Sequence, residues 1–511
     1  MKNYSKYLEK KQLKKKIIYL KKNKKKIVLC HGVFDLVHLG HVKYFKSAKL
    51  KGDYLIVSVT ADKFVNKGPG RPLFNENQRL EFLNELEIVD NIFLSNSESA
   101  EEIIEFIKPD FYVKGPDYKD NKLDKTKKII LEKKTVEKFG GKIIYTDDVV
   151  FSSSEIINSN NLNLNHEQRV FISNLKKKYN YNQIIEELYK FKNLSVCIIG
   201  ELIIDKYCFG DIVGKSGKEP HLVLKENFTE YYVGGSGAIA RHISSFVKVA
   251  NLISPFGFEK FFVSFLKNSF AKNIKTYFFK PYKDFKTILK SRFIDTISNY
   301  KLFGSYILPE KFNLRIKNFL YKTLDKNIKN ADLIIVSDYG HYFISQDIIN
   351  KIIKSKKFIS LNTQINSSNI GFHSIDKYHG VASIIINENE LRYELRDSIT
   401  DIKILAKKIL KLKKIKNIII TRGKYGALLV SFKNNKYELC ECPAFAAKAI
   451  DKVGSGDAML AISSLALKNK LHPELVLFLG SLAASILVES IGNKEKVSLE
   501  RLERIIEYIL K

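Results

Sequence analysis

Ile27-Val28-Leu29-Cys30-His31-Gly32-Val33-Phe34-Asp35-Leu36-Val37-His38-Leu39-Gly40-His41 reads as a buried strand, a glycine-containing turn and the start of a helix. Ile27 to Cys30 form an apolar run without alternation, as expected of a strand covered on both faces. A helix is expected from about Val42 to near Gly52, where a glycine can take the left-handed cap conformation. The same alternation continues outward. Strands are expected at Tyr54–Val59, Asn91–Leu94, Phe111–Lys114 and Lys142–Tyr145, with helices at Asn77–Glu85, Ala100–Ile107 and Lys127–Phe139. Strands alternating with helices of this length predict an α/β fold with a doubly wound parallel sheet. Ligands of such sheets bind beyond the carboxyl ends of the strands, where helix N-termini point. His38 and His41 fall at such a place, and their i, i+3 spacing puts both imidazoles on one helical face. With backbone N–H groups and a positive dipole end nearby, the pair suits stabilisation of phosphate charge. An isolated H-x-x-H is more often a cap and a surface residue, so its surroundings decide.

At 511 residues the chain is too long for one ordinary core. Around Asn158–Asn165 the texture turns to Asn and Ser without apolar periodicity, marking a boundary. The expected organisation is a basic extension over 1–26, a first domain over 27–158, a helical linker over 159–192 and a larger domain over 193–511. In the last of these, strands are expected at Ser195–Gly200, Leu333–Ser337, Ser383–Ile386 and Ile418–Thr421. The longest uncharged stretch, Leu475–Val488, is too short to span a bilayer and reads as a buried helix. Residues 1–26 lack the apolar core of a signal peptide. Five scattered cysteines form neither a disulfide framework nor a zinc pattern. A cytoplasmic protein without a membrane partner is expected.

The net charge is +31, and residues 1–26 contribute 12 Lys against one Glu. The rest is spread without a dominant cluster. The basic residues comprise 75 Lys and 11 Arg, so the Arg forks interleaved with aromatics that mark nucleic-acid readout are missing. No specific nucleic-acid partner is expected; attraction of phosphorylated small molecules accounts for the charge.

Gly32-Val33-Phe34-Asp35-Leu36-Val37-His38-Leu39-Gly40-His41 resembles the G-x-F-D-x-x-H-x-G-H signature of the cytidylyltransferase-like nucleotidyltransferases. The match continues through Lys67-Gly68-Pro69-Gly70-Arg71-Pro72, Gln78-Arg79, Val89-Asp90, Val113–Tyr118 and Phe151–Ile157. The series is similar to the adenylyltransferase domain of bacterial ADP-heptose synthesis enzymes. That resemblance implies a Rossmann-like domain in which His38 and His41 stabilise the triphosphate in the transition state. It places Gly32, Phe34, Asp35, Lys46, Arg79, Ser152, Ser153 and Ser154 around the nucleotide, with Asp35 orienting the loop. Lys43 is an alternative to Lys46. ATP or CTP would be the nucleotidyl donor. His31 replaces the Asn that the heptose enzymes tend to carry, a change that would bear on base or sugar choice.

Asp451-Lys452-Val453-Gly454-Ser455-Gly456-Asp457 precedes an apolar helix, Met459–Leu467. A Gly-x-Gly turn at a helix start gathers N–H groups for an anion, and a carboxylate one residue later can deprotonate an attacking hydroxyl. This stretch resembles the D-x-x-G-x-G-D signature of the ribokinase-like (phosphofructokinase-B) sugar kinases. By that resemblance Asp457 is the catalytic base, and Gly454, Ser455 and Gly456 hold phosphate. Thr421, Gly423 and Gly426 form the nucleotide loop, while Asn387 and Glu390, an N-x-x-E motif, position Mg2+. Asp205, Gly234 and Gly235 lie on the sugar side. ATP is the implied phosphoryl donor, a sugar phosphate the implied substrate, and a homodimer through the kinase domain the implied assembly. Ala238 stands where the family usually has Asn, and Asn362–Asn366 replaces an aspartate-containing segment. Lys215 and Lys218 read either as a grip for a sugar phosphate or as decoration of a lid strand.

Together the signatures imply a kinase and a nucleotidyltransferase making a nucleotide-activated, heptose-like sugar, in the reverse of the usual domain order. The alternative is a single nucleotidyltransferase beside a nucleotide-sensing or divergent-substrate kinase-like module.

Overall fold

The computed structural model describes residues 5–65, 71–97, 99–115, 128–146, 164–309, 317–370, 374–446 and 449–510. The chain forms two compact units, residues 1–164 and 165–510.

The first unit is a five-stranded parallel sheet in the order β3-β2-β1-β4-β5. Its strands are β1 (Ile27–Gly32), β2 (Tyr54–Thr60), β3 (Asn91–Ser95), β4 (Phe111–Lys114) and β5 (Lys142–Tyr145). Strand order reverses between β1 and β4, so the ligand crevice of a doubly wound sheet is expected beyond their carboxyl ends. β1 is apolar throughout because each face meets a separate core. Val28 and Cys30 pack with Phe45, Val57 and Leu83 on one side. Ile27 and Leu29 pack with Ile56, Ile103 and Ile107 on the other.

Two expectations change here. The lysine-rich start is no separate extension: helix Lys10–Lys22 buries Leu13, Ile17 and Leu20 in the second of these cores. Its lysines are simply the solvent side of an amphipathic helix. Gly52 is not a left-handed cap, since helix Leu39–Lys49 closes at Leu50 in right-handed conformation. Glycine is needed there for close approach, because a Cβ would lie 2.7 Å from Val28 Cγ2 and 2.9 Å from the Lys26 carbonyl oxygen.

The second unit combines a nine-stranded sheet, order β10-β9-β6-β13-β14-β15-β16-β17-β18, with a four-stranded sheet, order β12-β11-β7-β8. The large sheet contains β6 (Ser195–Gly200), β9 (Val249–Pro255), β10 (Ile274–Phe279), β13 (Leu333–Asp338), β14 (Phe358–Thr363), β15 (Ser383–Asn387), β16 (Asn417–Thr421), β17 (Ala427–Lys433) and β18 (Lys436–Cys442). It is parallel up to β16, and β17 and β18 run antiparallel. The small sheet consists of a long hairpin, β7 (Leu202–Lys215) and β8 (Leu222–Gly235), joined by β11 (Ile288–Asp295) and β12 (Lys301–Ile307). Helices Ser455–Lys468 and Pro473–Val488 are buried along almost their whole length. Among the described residues no helix is long and apolar enough to cross a membrane.

The segment read as a linker folds as two helices, His166–Lys178 and Tyr181–Lys190, within the second unit. Their apolar faces bury Ile172, Leu175, Ile184 and Leu188, so the polar surface hid an amphipathic pattern. All five cysteines are free, and only Cys440 is partly exposed.

Candidate active sites

In the first unit, β1 ends at Gly32 and the chain turns through Phe34, which has a φ of 51°. The Phe34 ring lies over Gly32, where a Cβ would sit 3.2 Å from its edge. His38 caps helix Leu39–Lys49 from an extended conformation, and its Nδ1 accepts from the Gly40 amide at 3.1 Å. The His38 amide in turn donates to His41 Nδ1 at 3.4 Å. An imidazole that accepts through Nδ1 carries its neutral-form proton on Nε2, so the helix start sets the tautomer of both rings. Their centroids are 4.2 Å apart, and His41 meets the Phe34 ring edge-on at 5.7 Å. The sequence-derived pair is therefore assembled at the helix N-terminus beyond β1.

Asp35 is buried, accepting from Arg71 Nε at 2.6 Å and from the Phe74 amide at 3.0 Å. Arg79, expected at the triphosphate, is instead a structural residue. It is buried, and donates to the carbonyls of Phe74 (3.0 Å), Val33 (2.5 Å) and Thr60 (2.9 Å) and to Asp62 (2.5 Å). Arg71 differs: beyond its Asp35 bond, its buried Nη1 and Nη2 have no hydrogen-bond partner among the described residues. At sequence level Arg71 is visible only as part of a motif. Lys43 and Lys46 lie exposed on the helix surface. His31 faces Ser58 and Thr60, at 3.2 Å and 3.5 Å, and burial pushes its pKa down to about 3, leaving it neutral. Ser152, Ser153 and Ser154 lie outside the described residues.

In the second unit a cleft of 1510 Å³ opens beside the carboxyl ends of β14, β15 and β16. It is lined by Thr421, Gly423 and Gly426, by Asp205, Gly235 and Arg292, and by Asp457. Gly454 caps helix Ser455–Lys468 with a φ of 83°, and a Cβ there would fall 1.7 Å from Asn493 Oδ1. The turn therefore takes glycine for both conformation and space. Asp451, the first motif residue, is structural. It accepts from Tyr207 (3.0 Å), Lys301 (2.6 Å) and the amides of Val453 and Gly492 (both 3.1 Å).

Asp457 sits in the first turn of that buried helix. Burial, opposed by a hydrogen bond from Tyr339 and augmented by the charge of Asp205, raises its pKa to about 7. A carboxylate poised near neutrality suits general-base work. Gly423 and Gly426 both have positive φ, and a Cβ on Gly426 would lie 2.0 Å from the Cys442 carbonyl oxygen.

Asp205, expected on the sugar side, accepts from Arg292 Nη1 at 2.5 Å and from Asn493 Nδ2 at 3.2 Å. Gly234 makes room for it, since a Cβ would sit 2.3 Å from its Oδ2. Gly235 has a φ of 58° and opens helix Ser236–Ile243. Ala238 is buried in that helix rather than lining the cleft. Lys215 and Lys218 are exposed at the far end of the β7–β8 hairpin and do not line the cleft. Arg422, Lys424 and Lys452 line it, as do three cations of the four-stranded sheet, Lys290, Arg292 and Lys301. Sequence reasoning missed the last three because they come from strands whose neighbours only the sheet topology supplies.

Asn387 and Glu390 form a reciprocal capping box. Glu390 N–H donates to Asn387 Oδ1 at 2.9 Å, and Asn387 N–H to Glu390 Oε2 at 2.8 Å. The Ile365 amide adds a bond to Oε1 at 3.2 Å. Burial raises the Glu390 pKa to about 7 against these donors. Both residues line the cleft, but among the described residues no group of three His, Cys, Asp or Glu could hold a metal by itself. The donor set fits an ion that keeps its waters and leans on phosphates, as magnesium does.

The family described as pfkB family carbohydrate kinase matches residues 193–499, and that described as cytidylyltransferase-like matches residues 29–159. The chain is 45% identical over 106 residues to the bifunctional protein HldE of Campylobacter jejuni subsp. jejuni, covering 20% of this chain and 23% of that protein. It is 34% identical over 149 residues to the bifunctional protein HldE of Desulfatibacillum aliphaticivorans, covering 29% of each. These matches fall in the nucleotidyltransferase half, so the chain spans about a quarter of the length of the curated relatives it matches. A mutant form of phosphofructokinase-2 from Escherichia coli superposes with a TM-score of 0.50 at 16% identity, covering 62% of this chain and all of that one. That likeness concerns the fold.

Proposed function

Because the chain belongs to the pfkB family of carbohydrate kinases through residues 193–499, and carries a cytidylyltransferase-like unit before it, we propose that it is a two-activity enzyme of nucleotide-sugar synthesis. In this reading the second unit phosphorylates a sugar phosphate with ATP. The first joins a sugar 1-phosphate to a nucleotide from ATP or CTP, releasing pyrophosphate. The proposal is a reversed-order relative of the ADP-heptose synthesis enzymes, acting in the cytoplasm. A phosphatase reaction supplied by another protein must stand between the two steps.

The observation that carries the kinase reading is Asp457, which lines a cleft also lined by Asp205 and the Thr421–Gly426 loop. Asp457 would take the proton from the sugar hydroxyl as its oxygen attacks the terminal phosphorus of ATP in line. The amides of Gly454 to Gly456 would meet the charge on the moving phosphoryl group. Asn387 and Glu390 would hold the waters of a magnesium ion, which when bound supplies charge neutralisation across the triphosphate. Lys290, Arg292 and Lys301 support an anionic sugar: Arg292 is paired with Asp205 and Lys301 with Asp451, so Lys290 is the cation among them with charge to spare. The exposed apolar side chains Phe228, Phe303 and Tyr306 on the four-stranded sheet support a homodimer through this unit.

In the first unit, His38 and His41 would donate through Nε2 to the phosphates as pyrophosphate leaves. The resemblance also brings Ser152, Ser153 and Ser154 to those phosphates, and we add Arg71 to the set in place of Arg79.

A two-part assay with a panel of sugar phosphates tests the reading. ATP consumption is expected to vanish in Asp457→Asn, and pyrophosphate release in His41→Ala while the kinase survives. Loss of both activities in His41→Ala, or of neither in Asp457→Asn, would refute two separate sites. Pyrophosphate release without any kinase turnover would leave the single-activity alternative standing.

A further inference from the structure

Tyr339 follows β13 directly, and every polar atom of the residue is engaged. Its hydroxyl donates to Asp457 Oδ1 at 2.6 Å. Its amide donates to buried Glu201 Oε2 at 3.1 Å. Its carbonyl accepts from Asn366 Nδ2 and from Asn369 Nδ2, both at 3.0 Å. Those two asparagines are themselves braced. The Asn366 amide donates to Asn369 Oδ1 at 2.8 Å, and Asn369 Nδ2 also reaches the Gln364 carbonyl at 2.9 Å. The Gln364 amide bonds the Asp338 carbonyl at 2.9 Å, closing the segment back onto β13. The ring itself is buried, with only 2% exposure.

We infer that Tyr339 is a positioning residue for the phosphoryl-transfer base, and that the asparagine-rich segment after β14 is what holds it in place. This rests on the kinase reading of Asp457. A carboxylate in the first turn of a helix can rotate about χ1 and χ2; one short bond to a clamped phenol fixes its orientation. The bond occupies Oδ1 and leaves Oδ2 for the sugar hydroxyl, so the base presents one defined oxygen. A donor to the ionised carboxylate also favours the ionised form. It thus opposes burial and the negative charges of Asp205 and Glu390, alongside Lys290, the positive group that faces Asp457. Tyr339 remains a donor throughout, because burial first, and then the Asp457 charge, holds its pKa well above the ordinary phenol value. The Asn362–Asn366 stretch, which at sequence level replaces an expected aspartate-containing segment, thereby acquires, together with Asn369, a definite task.

The test uses full-length enzyme labelled with carbon-13 at aspartate side chains, the Asp457 signal being identified by its absence in Asp457→Asn. In Tyr339→Phe, which deletes one oxygen and keeps the ring, the Asp457 titration midpoint is expected to move up by about one pH unit. With whichever sugar phosphate the wild type turns over, kcat at pH 7 is expected to fall at least about tenfold, with KM for ATP within about twofold. The isosteric Asn366→Asp, which removes one of the two donors to the Tyr339 carbonyl, is expected to move the midpoint in the same direction by less. An unchanged midpoint in a Tyr339→Phe protein of unchanged melting temperature overturns the inference. Kinase turnover surviving Asp457→Asn would instead overturn the kinase reading, whatever Tyr339→Phe does.

Discussion

Arg71 and Arg79 are both buried in the first unit, yet their guanidinium groups have different amounts left to offer. Arg79 spends its donors on three carbonyls and Asp62, so it sets the shape of the Val33 turn from behind. Arg71 keeps a planar pair of N–H groups beyond its Asp35 bond, the geometry that reads phosphate oxygens two at a time. Arg71→Lys keeps the charge and loses the fork. Pyrophosphate release is expected to drop about a hundredfold, while kinase turnover stays within twofold. Arg79→Lys should instead lower the melting temperature of the first unit along with its activity, because it leaves buried carbonyls without donors. Calorimetry and a pyrophosphate assay on the two variants separate the roles. Sequence alone could not rank these arginines, since both belong to the same motif series and differ only in what surrounds them.

At the scale of elements, the helix starts carry the proposed chemistry, and they differ in how openly the chain announces them. The start at His38 and the one at Ser455 were legible because cap, glycines and reactive groups lie within one turn of sequence. The capping box of Asn387 and Glu390 was legible as a motif, but its reciprocal bonding appears only in three dimensions. The four-stranded sheet went unread. The β7–β8 hairpin is half solvent-exposed and interrupted by register shifts at Phe209/Gly210 and Ile212/Gly214, so its alternation breaks down. The cations on β11 and β12 reach the cleft only through that pairing. The glycine cap is the most exacting of these devices. In Gly454→Ala the new methyl would meet Asn493 and the backbone would resist a φ of 83°. A stability loss of about 2 kcal/mol is expected from strain of this kind, with kinase turnover falling by far more than that loss explains. Urea titration beside the kinase assay checks both numbers.

On the scale of the whole molecule, a charge of +31 tempts one to read the lysine-rich start as an arm for polyanions. Helix Lys10–Lys22 contradicts that picture by placing Leu13, Ile17 and Leu20 inside a core shared with β1 and β2. Deleting residues 1–26 is therefore expected to expose that core and to abolish pyrophosphate release through unfolding. The milder Leu13→Ala should cost the first unit about 3 kcal/mol. Circular dichroism melts of both proteins, together with binding to RNA and DNA over a salt series, would show whether the segment serves the fold or a polyanion. A truncation that melts normally and loses only polyanion binding would restore the arm.

The free thiols give this division into two units a practical edge. Cys30 lies in the central strand of one sheet and Cys197 in the opening strand of the other. Burial pushes each thiol up to about 12, so alkylating reagents reach neither while its strand stays covered. Each unit therefore carries its own chemical clock. The rate at which Cys30 or Cys197 is trapped, read by mass spectrometry of the separate peptides, times the opening of one sheet without reference to the other.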